Sequence, residues 1–355
     1  MKSWPIFVPV LAALVLVATL FVALSSVVVA IAALALCLAV TTAVHHAEVV
    51  AHRLGEPFGT LVLALAVTVI EAALILSVML AGGASAAELP RDTIFSAVMI
   101  ICNGVVGLCL LVGGIRHGEQ AFRIEGTGPG LAALIALATL SLVLPTFTTS
   151  SAEGTYTASQ LAFVAVASLL LWGVFVFVQT VRHRDYFLPV SDAANTDVHA
   201  DPQTLAATWT SFGLLLVSLV VVVGLAKTLS PAIEAQLIAI GAPQTVLGIA
   251  IAGLVLAPET VAAVRAARAN RLQTSLNLAV GSALASIGLT IPVVVVAVIL
   301  LGLPLTLGLE AKDITMLALT FVVTSITLGS GRTYLMQGAV HLVLFAAFLV
   351  LALVP

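Results

Sequence analysis

Charge is what this chain has least of. Only 8% of its 355 residues are Asp, Glu, Lys or Arg, whereas a soluble domain carries about 25% because its surface must be hydrated. With 61% apolar residues and a mean hydropathy of +1.24, no soluble packing could cover so much apolar side chain. Cysteine is scarce too. Cys37, Cys102 and Cys109 lie inside apolar runs without motif spacing, which excludes a disulfide framework and a metal knuckle. No His-Glu-x-x-His signature occurs. The net charge of −3 identifies no partner, and no block of basic residues calls for nucleic acid.

What the chain has is apolar length. Its hydrophobic runs are roughly twenty residues long, enough for a helix to cross the hydrocarbon core. Charges, Pro and Gly divide the sequence into eleven spans: 5–23, 26–52, 57–82, 92–115, 130–148, 157–181, 205–229, 243–264, 272–301, 313–330 and 333–353. The fold class is therefore all-α, a polytopic protein whose partner is the lipid bilayer. The first span follows Lys2 as in a signal peptide, but its length and the spans behind it predict an uncleaved helix over 1–24. The segment 231–240 is too short to cross and is expected at the membrane interface.

This topology puts Lys2, Arg53, Arg116, Arg123, Arg182, Arg184, Arg265, Arg268, Arg271 and Arg332 on one side, and Arg91, Lys227 and Lys312 on the other. The positive-inside rule then places the N-terminus in the cytoplasm and the C-terminus outside a bacterial inner membrane. The stretch 185–204 carries Asp185, Asp192, Asp197 and Asp201. It reads as a solvated cytoplasmic linker between two halves, 26–184 and 205–355; a weakly cation-attracting loop is the sharper alternative.

Of the sixteen acidic residues, Glu71 and Glu259 alone are expected deep inside a span, each about 20 Å from the proline that opens it. A carboxylate at such depth costs at least about 2.5–3.5 kcal/mol to insert, which makes it a functional candidate by default. Glu71 is on the third span and Glu259 on the eighth. Five crossings separate them, so their helices run in opposite directions. Five helices per half in inverted topology, after one extra N-terminal helix, is a recurring plan of secondary transporters, with the ion site between the repeats at the midplane. Neither carboxylate has a Lys or Arg nearby in its span. Desolvation penalises an unpaired charge, so each must take up a proton or a cation. The alternative is a permanently protonated pair that bridges helices by hydrogen bonds.

Neighbouring residues offer oxygen. Thr68 precedes Glu71 by three residues on one helical face. Pro258 removes a helical N–H and so frees the carbonyl of Leu254. Ser282, Ser286 and Thr290 recur at i, i+4 and i+8 as one polar stripe, and Ser96 and Asn103 share a face at i+7. Each hydroxyl could equally serve close helix packing. Oxygen-only ligands suit hard cations such as Ca2+ and Na+. His341, deep in the last span, is a candidate proton relay or a packing residue. His45, His46, Glu48 and His52 cluster near the end of the second span, as a wet helix end or, in a membrane enzyme, a metal site.

At these residues the sequence resembles the cation/proton exchanger family of the Ca2+/cation antiporter superfamily, and within it the bacterial calcium/proton and sodium/proton antiporters. Leu54-Gly55-Glu56-Pro57-Phe58-Gly59 leading to Glu71 is similar to the first repeat motif. Ala257-Pro258-Glu259 with Asn270-Arg271 and Gly281-Ser282 is similar to the second. The resemblance implies antiport of Ca2+, with Na+ or K+ as further or alternative cations, through the two glutamates, with no cofactor. Many members carry Gly-Asn-Ala before each glutamate and His after the second. Here Val67-Thr68-Val69, Val255-Leu256-Ala257 and Thr260 stand there, and the loss of two amide ligands strengthens the case for a monovalent cation.

Overall fold

The computed structural model describes residues 4–22, 24–54, 58–187, 204–239, 241 and 243–354. Among the described residues there are eleven apolar helices: α1 (Trp4–Thr19), α2 (Ser26–Leu54), α3 (Phe58–Gly82), α4 (Leu89–His117), α5 (Ile124–Phe147), α6 (Ala158–Arg182), α7 (Leu205–Ala239), α8 (Thr245–Arg268), α9 (Leu272–Leu301), α10 (Ala311–Gly329) and α11 (Leu335–Leu353). Ten are long and apolar enough to cross a membrane. The 16 residues of α1 reach only about 24 Å, and it packs instead along α2 and α7. Helices suit this sequence because every backbone group finds its partner within the segment, which hydrocarbon demands.

Boundaries differ from the sequence reading in three places. The 231–240 segment is not a separate interfacial piece. Through Ala239, α7 continues across Pro231 as one helix of 35 residues, because a proline in a long apolar helix removes one N–H without ending it when neighbours hold both sides. The start of α5 comes six residues before 130, at Ile124. Leu89 begins α4, with Pro90 in its first turn where the missing N–H costs nothing. The start of the third span at Pro57 and the acidic stretch with Asp192, Asp197 and Asp201 lie outside the described residues.

The packing is symmetric about the two halves. The leading helices α2 and α7 pair with each other. The second helix of each half packs on the third of the other (α3 on α9, α8 on α4), and each third helix packs on the other half's fifth (α4 on α11, α9 on α6). That reciprocity is what an inverted repeat produces. A two-residue ribbon, β1 (Gln120–Ala121) against β2 (Arg332–Thr333), joins the α4–α5 and α10–α11 connections.

Two apolar cores result. One is built on α4–α6 and α9–α11; the other on α1, α2, α3 and α7. Helices α8 and α9 contribute to both, so the surface between the cores runs along them. At one end of the bundle the irregular segment 303–310 is drawn inward. There Leu307 and Gly308 donate backbone N–H groups to the carbonyl of Gly154, and Leu309 donates to that of Leu142. Arg91 is buried beside it, holding Asp92 at 2.9 Å, Glu88 at 3.0 Å and the Gly308 carbonyl at 3.2 Å. Asp92, the first residue of the expected span, is thus buried with its cation beside it.

Candidate functional site

The polar stripe of α9 organises the site. Ser286 donates from Oγ to Glu71 at 2.6 Å, and Thr290 donates to the other oxygen of the same carboxylate at 3.2 Å. One turn before Ser286, Ser282 donates to Glu259 at 2.9 Å. The stripe therefore reaches both carboxylates, one from each half, from adjacent turns about 6 Å apart along the helix. Each hydroxyl-to-carboxylate bond contributes roughly 1.5–3 kcal/mol towards holding charge out of water. No ion pair among the described residues involves either glutamate.

Their surroundings differ. Glu71 is only 3% exposed and sits among Ile70, Leu74 and Ile75 of the α1–α3 and α7 core. Glu259 is partly exposed and lines a cleft with Ile101, Val105, Leu256, Thr260, Ala263, Ala279 and Ser282. Pro258 lies inside the unbroken α8, where it has no N–H to give the Leu254 carbonyl. Thr260 donates to the Leu256 carbonyl at 2.8 Å, so its hydroxyl serves the helix. Thr68 is buried one turn before Glu71. The motif residue Asn270 adopts φ 58° and makes the left-handed turn between α8 and α9, a conformation Asn tolerates better than most.

Asn103 and His341 are placed elsewhere. Asn103 donates from Nδ2 to Thr320 at 2.9 Å, and its Oδ1 lies 3.2 Å from Nδ1 of His341. Nε2 of His341 lies 3.1 Å from the hydroxyl of Thr327. The spacing from Ser96 to Asn103 is not that of a regular helix. Residues Ile100–Val105 form a π turn, which widens the helix and rotates the residues beyond it. Ser96 Oγ is buried with no hydrogen-bond partner.

The histidines of α2 fasten α1. Nε2 of His46 lies 2.9 Å from the Pro5 carbonyl, and the His45 ring packs 5.9 Å from that of Trp4. No group of three His, Cys, Asp or Glu residues among those described could hold a metal. The side chain of His52 is outside the described set. Cys102 and Cys109 are buried, Cys37 is exposed, and all three are free.

The sequence reading missed the cleft wall, Ile101 and Val105. Their only signal was the apolar run around Asn103, which does not distinguish a π turn from an α turn.

The model of the sodium/calcium exchanger protein family matches residues 3–181 and 210–354. The chain belongs to that family. Its unmatched gap, 182–209, contains the acidic stretch. The chain is 50% identical over 318 residues to the putative ionic transporter y4hA of Sinorhizobium fredii, covering 89% of this chain and 86% of that one. It is 36% identical over 309 residues to the sodium-potassium/proton antiporter ChaA of Escherichia coli, covering 86% and 83%. The solved structure of native YfkE superposes with a TM-score of 0.74 at 18% identity, covering 99% of this chain and all of the other. That of an H+/Ca2+ exchanger CAX gives 0.69 at 14%, covering 91% and 82%. At such identities these two establish the fold alone. The resemblance read from the motifs around Glu71 and Glu259 is borne out.

Proposed function

We propose that this protein is an antiporter that exchanges a small inorganic cation for protons at Glu71 and Glu259. The observation that carries the reading is the α9 stripe, which brings the carboxylates of both halves to neighbouring turns of one helix. Hydroxyls serve both loaded states. A hydroxyl can accept from a protonated carboxyl, or donate to an ionised one while offering lone pairs to a cation. With both glutamates ionised the site takes a cation; with both protonated it is neutral and releases it. Thr68 and the Leu254 carbonyl add oxygens one turn from each glutamate.

Oxygen ligands select hard cations. Ca2+ is one, as for the Ca2+/H+ antiporter of Aphanothece halophytica, 24% identical over 277 residues. Na+ and K+ are the others, favoured by the greater identity to the sodium-potassium/proton antiporter and by the missing amide ligands beside both glutamates.

The uneven distribution of Lys and Arg between the two sides supports a bacterial inner-membrane protein with its N-terminus in the cytoplasm. The arginine-rich end of the bundle then faces the cytoplasm, while 303–310 and Arg91 lie at the other side.

The test uses purified protein reconstituted in vesicles, with Ca2+, Na+ and K+ added in turn. Glu71→Gln and Glu259→Gln should each abolish cation-driven proton release while the protein still folds and inserts. Retained exchange in both would leave the glutamates as a protonated structural pair.

A further inference from the structure

We infer that His341 is a positioning residue for the Glu259 site, acting through Asn103 on the π turn of α4. Both side chains are fully buried, and they join three helices. Asn103 donates its amide hydrogen to Thr320 of α10, which leaves Oδ1 as acceptor. Nδ1 of His341 on α11 must then carry the hydrogen that Oδ1 receives at 3.2 Å. Nε2 is left bare and accepts from the Thr327 hydroxyl at 3.1 Å. One neutral tautomer satisfies both side-chain partners of the ring.

The other side of the same turn is the site. Ile101 and Val105 stand two residues before and two after Asn103, and both line the cleft that holds Glu259 and Ser282. Asn103 is thus the peg on the outer side of a turn whose inner side walls the cation cleft. A π turn is rare and needs something to hold it. The peg has little freedom, because α4 and α11 meet at glycines. A Cβ on Gly107 would lie 3.0 Å from the His341 Cβ, and one on Gly338 would lie 2.5 Å from the Leu111 backbone nitrogen. Without the imidazole, Asn103 Oδ1 is left buried and unpaired. The turn then shifts towards regular α geometry and rotates Ile101 or Val105 relative to Glu259.

This inference rests on Glu259 being part of the cation site, so Glu259→Gln is measured alongside. The experiment is proton release from vesicles as a function of Na+ and, separately, Ca2+ concentration. His341→Ala should raise the half-saturating concentration at least fivefold while the maximal rate changes less than twofold. His341→Gln, whose amide can both donate to Asn103 and accept from Thr327, should restore most of the affinity. Thr327→Val keeps the ring but removes one anchor, and should fall between. Unchanged half-saturation in His341→Ala overturns the inference; if that variant does not fold, unchanged half-saturation in Thr327→Val does so. A His341→Gln protein with half-saturation as high as that of His341→Ala also overturns it, as does a loss of maximal rate in both, because a ring needed for its proton is a relay. Wild-type behaviour of Glu259→Gln would instead remove the premise, whatever the His341 variants do.

Discussion

Ser282 and Ser286 lie one turn apart on α9 and donate to different carboxylates, Glu259 and Glu71 respectively. One rigid helix thus sets the spacing between acids from opposite halves of the chain. The two serines are not equivalent, because Glu71 is sealed in an apolar core whereas Glu259 opens on the cleft.

Ser286→Ala is therefore expected to harm cation affinity more than Ser282→Ala. Losing a hydrogen bond to a charged group costs roughly 1.5–3 kcal/mol, or about a ten- to hundredfold rise in half-saturating concentration. Water can replace the hydroxyl at Glu259, so about tenfold or less is expected for Ser282→Ala. Cation titrations of the two reconstituted variants check the order; equal effects would contradict the difference in burial.

Competition between protons and cation at the same oxygens fixes a sign for pH dependence. As pH falls the glutamates protonate and affinity for the cation falls; as pH rises it recovers. Over the range where the site titrates, each proton displaced changes the half-saturating concentration about tenfold per pH unit, by mass action. A slope approaching two on a log plot would mean both glutamates release protons per cation, and a slope of one a single proton. A flat profile would mean that protons and cation do not share the site.

Pro258 precedes Glu259, whereas Ile70 precedes Glu71, so only the second half has a proline-freed carbonyl beside its carboxylate. Pro258→Ala restores the helical hydrogen bond and withdraws the Leu254 oxygen. If that oxygen, or a water on it, coordinates the cation, half-saturation should rise more than maximal rate falls. Lower yield or thermal stability with unchanged half-saturation would show that the proline only shapes α8.

Orientation is checked with fusions. A reporter active only outside the cytoplasm should work at Pro355 and fail near Asp197. The opposite result at either position would overturn the helix count or the charge rule applied to it.

Most of the architecture was legible because hydrocarbon imposes so narrow a grammar. Long apolar runs must be helices, and buried acids such as Glu71 and Glu259 stand out against them. The i, i+4, i+8 spacing of Ser282, Ser286 and Thr290 correctly implied one face, since α9 is a regular helix there. The same arithmetic does not carry over to Ser96 and Asn103, because Asn103 lies in a π turn that nothing in Ile100–Val105 announces. Pairings across distant helices, such as Asn103 with His341, were equally hidden: 238 residues separate them, and no local spacing encodes a tertiary partner. The burial of Arg91 was hidden in the same way, because it involves the distant segment 303–310.

The wide turn in α4 also bears on how this gene can change. A π turn accommodates one residue more than the α turn it replaces, so α4 holds an extra residue that its surroundings have absorbed. Deleting one residue of Ile100–Val105 would let the turn close to α geometry and leave the two flanks of α4 in register. Gly107 and Gly114, which give His341 and Leu335 their close approach, would keep facing α11. A deletion in a regular stretch of α4 would instead turn everything beyond it by about 100°. Single-residue deletions within the turn should therefore be better tolerated than deletions elsewhere in the helix, a distinction a deletion scan across α4 would reveal.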